Sequence, residues 1–285
     1  MRSGVGGDLT TKSIYKLDQP QWLYHYTSIY GVEGILTSKC IWASLLHFMN
    51  DSREWLYGLD LVRQYLQGQA KAREDRNWLA FIAGLSESLR RIQGLNICVF
   101  SLSAESNQLS QWRAYCPPEG GYEVIFDRKT LEEHLVRHGF ELKPCIYDVD
   151  VQLQIVSTII APIITRVGEL KDDRAMNDAI EEALSKLASQ LSVVAPVLKH
   201  PDFKEEKEWR AFALVASNDA RMHYHIKGSL VIPHCSLDLE THSSRFPVTQ
   251  ITVGPNAHQL LAMRGIEALK SKVTIGRSET PLRSF

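Results

Sequence analysis

The sequence predicts an α+β protein with a mixed or antiparallel β-core, surrounding helices and a helical insertion at about 151–198. Three observations predict it. Short strand-like runs alternate with helical stretches irregularly, without the steady strand–helix repeat of a doubly wound parallel sheet. Near the end, strand-like runs such as Leu230-Val231-Ile232-Pro233 and Val248-Thr249-Gln250-Ile251-Thr252-Val253 follow each other with no helix between them. From Val151 to Leu198 the apolar residues recur at helical spacing, in a segment that separates two strand-rich regions.

The elements follow in order. Trp22-Leu23-Tyr24-His25-Tyr26 is aromatic and strand-like. Thr27 or Ser28 can then cap a helix through Tyr30, Val32, Ile35 and Leu36. Lys39 to Ser44 reads as a second strand, and Asn50-Asp51-Ser52 opens a helix carrying Trp55, Leu59, Val62 and Leu66. Lys71 to Ile92 is an amphipathic helix carrying Trp78, Phe81, Ile82, Leu85 and Leu89. Asn96 to Leu102 is a continuous apolar run and hence a buried strand. Leu109 to Tyr115 is a short helix, Pro117 to Gly121 a turn, Tyr122 to Asp127 a strand, Leu131 to Val136 a helix and Leu142 to Tyr147 a strand. In the insertion, Ile155, Ile159, Ile160, Ile163, Ile164 and Val167 form one stripe. Ala179, Ile180, Ala183, Leu184, Leu187, Leu191 and Val194 form another. Trp209 to Val215 restarts the strands. Gly254-Pro255 ends the Val248–Val253 strand, His258 to Lys270 is a helix and Val273 to Ile275 a terminal strand.

Composition excludes several classes. Lys and Arg number 32 against 33 Asp and Glu, so the chain is not a uniformly basic nucleic-acid binder and any such contact would need a local patch. At 285 residues it is long for one domain and short for two full ones, which predicts one elaborated domain over 21–285 behind a polar flexible tail at 1–20. The start lacks an apolar signal-peptide core, and no window of about 18 uninterrupted apolar residues predicts a membrane span. Cys40, Cys98, Cys116, Cys145 and Cys235 are odd in number and scattered, as suits reduced thiols in a cytoplasmic protein. There is no GxGxxG, GxxxxGK[ST], HExxH or GxSxG motif.

Three segments are rich in groups that could carry chemistry. In Tyr24-His25-Tyr26-Thr27-Ser28, His25 ends an aromatic strand, either holding a strand–helix corner or offering one ring nitrogen to a ligand. In the second, Trp42-Ala43-Ser44 precedes Asn50-Asp51-Ser52-Arg53-Glu54-Trp55. Asn50 or Asp51 suits an N-cap there, and Glu54 suits the first turn of a helix. The third is Phe203 to Arg210. If its strand reaches back to Glu206, then Glu206 and Glu208 share one face, and two carboxylates there call for a hydrogen-bonding partner such as a ribose. A solvated charged entry to an edge strand also explains them, and composition alone favours it. Trp112 and Tyr115, three apart, fall on one helix face, suited to core packing or to stacking a planar ring. His223 and His225 share a face of a possible strand but lack an evident third metal ligand, so no metal is expected.

Taken together, Leu23 to Thr27 with Ile35-Leu36, Trp42-Ala43-Ser44, Phe48 to Glu54, Phe100 to Ser103 with Trp112 to Tyr115, Gly121, Phe203-Lys204 with Glu206 to Arg210, and Val253-Gly254-Pro255 resemble the bacterial family termed domain of unknown function 2971. That family in turn resembles the ADP-ribosyltransferase superfamily, whose members begin with a similar His-bearing strand and end with a Glu-bearing strand beside an Arg. The resemblance implies a split β-core that grips NAD as a substrate. It implies transfer of ADP-ribose to a nucleic acid or protein acceptor, or NAD hydrolysis, in bacterial conflict or phage defence. His25 would hydrogen-bond the adenosine-side or nicotinamide-side ribose, and Tyr26, Trp42 or Tyr115 would stack nicotinamide. Thr27 and Ser44 would complete the NAD site. Glu208, or failing it Glu206, would bind the ribose 2′-OH and stabilise the oxocarbenium-like transition state. Arg210 or Arg53 would meet a phosphate. The competing expectations are a non-catalytic ligand- or partner-binding module on the same fold, and a nucleic-acid-processing enzyme that does not use NAD.

Overall fold

Ser28 turns the chain from its first strand into its first helix. Its hydroxyl accepts a hydrogen bond from the Gly31 N–H at 3.4 Å, satisfying a donor that the first helical turn cannot. Strand β1 (Trp22–Thr27) thus leads into α1 (Ile29–Ser38). The computed structural model describes residues 19–49, 53–71, 76–117, 120–168, 173–240, 245–269 and 272–280. Most of the expected N-terminal tail and the expected Asn50-Asp51-Ser52 cap lie outside the described residues.

The remaining elements are β2 (Cys40–Leu45), α2 (Arg53–Ala70), α3 (Arg76–Gln93), β3 (Ile97–Ser103), α4 (Leu109–Tyr115), β4 (Tyr122–Asp127), α5 (Arg128–Arg137) and β5 (Glu141–Pro144). They continue with α6 (Val149–Gly168), α7 (Asp173–Val194), β6 (Glu208–Leu214), β7 (Met222–Lys227), β8 (Leu230–Asp238), β9 (Val248–Val253), α8 (Gln259–Glu267) and β10 (Thr274–Arg277). The protein is therefore a mixed α+β structure, as its sequence predicts, and its strands join one sheet in the order β10-β9-β4-β1-β3-β2-β8-β7. Strand β6 pairs with β3, and β5 with β6. Neighbours run antiparallel in the β1–β3, β1–β4, β2–β3, β2–β8, β4–β9, β5–β6 and β7–β8 pairs, while β9 and β10 are parallel.

The chain divides into two compact units. One holds all of this sheet except the first residue of β3, over Gln19–Leu45, Cys98–Pro144 and Lys204–Phe285. Its strands obey the period of two: Ile41, Ala43 and Leu45 of β2 are buried, whereas Cys40, Trp42 and Ser44 face away from that core. In β3 almost every residue is buried, because a central strand is covered on both faces. The core gathers Leu23, Val32, Phe100, Val124, Phe126, Leu131 and Ile251.

The other unit, over Leu46–Ile97 and Cys145–Phe203, holds helices α2, α3, α6 and α7. Of the expected stripes, Leu59, Val62 and Leu66, then Phe81, Leu85 and Leu89, then Ile155, Ile160 and Ile163, then Leu187 and Leu191 are buried, while Ile82, Ile159 and Ile164 are only half-buried and Val156, outside the expected stripe, is buried as well. The side chains of Trp55, Val167, Ala179, Ile180, Ala183 and Leu184 lie outside the described residues. The segment expected as an insertion forms α6 and α7 and groups with the two helices from the first third of the chain. Gln152 is fully buried here. Its amide donates to the carbonyls of Ile146 (2.6 Å) and Lys199 (2.8 Å), and its oxygen accepts from the Tyr57 hydroxyl (2.8 Å). By length and composition alone Val149–Arg166 could cross a membrane. Its buried stripe and its Gln152, Gln154, Thr158, Thr165 and Arg166 give it the amphipathic pattern of a packing helix.

Strand β8 outruns its expected end. Pro233 sits inside it, opposite Tyr224 of β7, but the β2 ladder stops one residue earlier, at the Ser44–His234 pair. A proline is tolerated there because no neighbour on that side needs its missing N–H.

Candidate functional site

His25, Tyr24 and Tyr26 come to a pocket of about 350 Å³ from β1. Ser101, Leu102 and Ser103 of β3, Gln111 and Tyr115 of α4, and Glu206 and Glu208 complete its lining. All ten residues belong to the sheet-bearing unit.

The Nδ1 of His25 lies 2.9 Å from the Ser101 carbonyl oxygen. A carbonyl only accepts, so Nδ1 carries the proton and Nε2 keeps its lone pair. Burial lowers the His25 pKa below its ordinary value, and the Ser101 bond pushes back in the opposite direction. The ring packs on Phe100 at 4.5 Å between centroids. The result is a fixed, neutral imidazole with one acceptor nitrogen.

The two carboxylates do not share a strand. Residues Pro201–Glu206 form a 3₁₀ turn, Lys207 adopts a left-handed φ of 43°, and β6 begins only at Glu208. The strand expected to reach back to Glu206 is broken by this turn. Three contacts fix it: Ser103 Oγ donates to the Glu206 carbonyl (2.8 Å), the Ala104 N–H donates to the Lys207 carbonyl (2.9 Å), and the Gln108 amide donates to the Glu205 carbonyl. Both acids reach the pocket regardless, since a turn residue and the first strand residue flank the same opening.

Their environments differ. Glu208 is buried and takes a bidentate ion pair from Arg210, Nε to Oε1 at 2.8 Å and Nη2 to Oε2 at 2.9 Å. Two residues apart on one strand, these side chains share a face, which permits the fork. Glu206 is half-exposed and accepts from the Tyr115 hydroxyl at 3.1 Å.

Tyr26 serves the wall rather than the opening. Its hydroxyl donates to the Glu105 carbonyl (2.9 Å) and accepts from the Gln108 N–H (3.0 Å), and Trp112 meets its ring edge-on at 4.8 Å. Burial first, then the Glu123 charge, raises its pKa. Trp112 and Tyr115 part company: Trp112 is buried, and Gln111 and Tyr115, four apart, are the α4 pair that lines the pocket.

Glu123 of β4 was not among the candidates the sequence offered. It is fully buried and accepts from the Asn107 N–H (2.8 Å) and the Ser106 hydroxyl (3.2 Å). Burial raises its pKa, and these bonds oppose the rise. The signal available was an acid in an otherwise apolar strand, Tyr122-Glu123-Val124-Ile125-Phe126.

Other expected residues lie elsewhere. Trp42 and Ser44 are on β2 and do not line the pocket, and Trp42 stacks on His234 instead. Thr27 ends β1 outside the lining, and Arg210 stands behind Glu208. The Arg53 side chain lies outside the described residues. Burial raises the thiols of Cys98 to about 12 and of Cys116 and Cys235 to about 11, which leaves them poor nucleophiles.

Fold and site define an α+β protein with a carboxylate-lined pocket to which β1, β3, α4 and the start of β6 contribute. Residues 111–211 match the family model described as protein of unknown function, DUF2971. The match begins at the pocket residue Gln111, takes in Tyr115, Glu206, Glu208 and Arg210, and leaves the His25 strand outside. No curated protein and no solved structure matches the chain.

Proposed function

We propose that the pocket takes NAD, and that the protein transfers ADP-ribose from it to a macromolecule or to water. The observation that supports this most is that His25 of β1 and Glu208 at the start of β6 line one pocket, with the rings of Tyr24 and Tyr115 beside them.

In this reading Nε2 of His25 accepts from a ribose hydroxyl. Tyr115 or Tyr24 stacks the nicotinamide ring, since Tyr26 is taken up by Glu105, Gln108 and Trp112 and Trp42 stacks on His234 outside the pocket. The Glu208 carboxylate, held by Arg210, accepts from the ribose 2′-OH. It faces the positive charge that develops as the C1′–N bond breaks. Nicotinamide leaves with the bonding pair, and the acceptor supplies a new pair to C1′. Arg210 holds Glu208 rather than a phosphate.

A non-catalytic ligand-binding module is the second reading. It is favoured by one observation: both oxygens of Glu208 are already engaged by Arg210. Incubation with adenylate-labelled NAD and DNA, RNA or cell lysate separates the two. Nicotinamide release or label transfer that disappears in Glu208→Gln supports the transferase. Absence of release and of NAD binding rejects it, and release that survives Glu208→Gln rejects this choice of acid.

A further inference from the structure

On the hairpin of β7 and β8, away from the pocket lining, three imidazoles share one face. His223 and His225 stand two apart on β7, and His234 of β8 is paired directly with His223. The Nδ1 atoms of His225 and His234 are 3.2 Å apart. Trp42 of β2 stacks on His234 with centroids 4.3 Å apart and planes at 27°. His234 is only 2% exposed, whereas Trp42 is half-exposed, so the pair is sheltered on one side and open to solvent on the other.

Two imidazole nitrogens at this separation either share a proton or share a cation. Nitrogens about 2.0–2.1 Å from one metal ion stand roughly 2.9–3.4 Å apart at bond angles between square and tetrahedral. We propose that His225 and His234 form a two-nitrogen chelate for a divalent first-row transition metal, Cu(II), Ni(II) or Zn(II), with His223 turning in as the third ligand. Imidazole is the ligand type those ions prefer over Mg(II) or Ca(II). Among the described residues no three His, Cys, Asp or Glu side chains already converge. The third ligand therefore joins on loading, by side-chain rotation of His223, whose ring centroid is 6.1 Å from that of His234. Lys227, two residues past His225 on the same face, opposes a cation.

The sequence could not show this. His223-Tyr224-His225 is visible as a two-His pattern, but its partner lies on the paired strand beyond a turn, and only the register brings it opposite.

The test uses the full chain freed of metal by chelator and titrated with CuCl₂ or ZnCl₂. Calorimetry is expected to give saturable one-to-one binding, and Cu(II) to quench part of the tryptophan emission through Trp42. Trp42→Phe is expected to keep the binding and lose that share of the quench. His225→Asn, at a half-buried surface position, is expected to lose tenfold or more in affinity with an unchanged circular dichroism spectrum. Absence of saturable binding in the wild type overturns the proposal, as does undiminished binding in His225→Asn.

Discussion

Arg210 holds both carboxylate oxygens of Glu208 from two positions further along the same strand, and both side chains are nearly inaccessible to solvent. Glu208 of the pair lines the pocket, and Arg210 does not. Buried ion pairs of this kind add little net stability, but removing one partner strands the other's charge. Arg210→Met is therefore expected to cost about 3–5 kcal/mol, and the double variant Arg210→Met/Glu208→Gln much less. Urea unfolding of the two single variants and the double variant gives the coupling. A double variant as unstable as Arg210→Met means that packing, not charge, sets the cost.

The two acids separate by their partners. Glu208→Gln is expected to reduce nicotinamide release by about 10²–10³-fold, the scale for losing one electrostatic stabiliser of a transition state. Tyr115→Phe removes only an exposed hydroxyl that donates to Glu206, so unfolding free energy is expected to change by no more than about 0.5 kcal/mol. Steady-state rates on both variants, with Glu206→Gln beside them, assign the roles. A larger rate loss in Glu206→Gln than in Glu208→Gln moves the chemistry to the turn.

Glu123 ties the loop that carries Asn107 and Gln108 to the pocket wall. Its folded pKa lies above its unfolded one, so the folded state binds the extra proton. Stability from this group is present at pH below the unfolded value of about 4.3 and is lost as pH rises through the raised folded value. Glu123→Gln is expected to flatten that slope while keeping an oxygen for the Asn107 N–H. Thermal midpoints across this pH window check it, and a slope identical to wild type assigns the dependence to another group.

Gly254 accounts for one motif visible in the sequence. A Cβ there would stand 2.8 Å from the Gly121 carbonyl oxygen and 2.8 Å from the Trp112 ring, in a place where the Gly254 N–H already donates to that carbonyl. Gly254→Ala is expected to cost about 1–3 kcal/mol, the usual range for overpacking, and to disturb the Tyr26–Trp112 contact. Unfolding curves and tryptophan emission check it. An unchanged midpoint means the two loops part without cost.

What was legible in the sequence followed from local periodicity. The stripes of α2, α3, α6 and α7, the Ser28 cap and the buried run of β3 all depend on neighbours within a few residues. His25 and Glu208 stood out as polar residues at strand ends. The turn at Glu206 was hidden because its cause, Ser103 and Gln108 gripping backbone carbonyls, lies about a hundred positions away. Trp42 looked like a ring for a ligand because its aromatic partner, His234, is supplied by strand pairing. Glu123 reads in the sequence like any surface acid, because the donors that hold it, Ser106 and Asn107, come from a loop some sixteen residues away.

His25 gives a pH signature of its own. Its folded pKa is below the unfolded value of about 6.5, so on acidification the unfolded chain takes up the proton first. Stability is therefore expected to fall as pH drops from about 6.5 towards the folded pKa, and to be level above that window. The Nε2 lone pair survives until the folded pKa is reached, so ligand binding should persist to lower pH than an ordinary histidine allows. His25→Asn is expected to remove part of the stability slope, with His225 and His234, lowered in the same direction, supplying the remainder. Imidazole chemical shifts followed from pH 8 to pH 4 assign each ring. A His25 resonance that titrates at or above 6.5 would mean the Ser101 bond outweighs burial and that the imidazole enters the pocket charged.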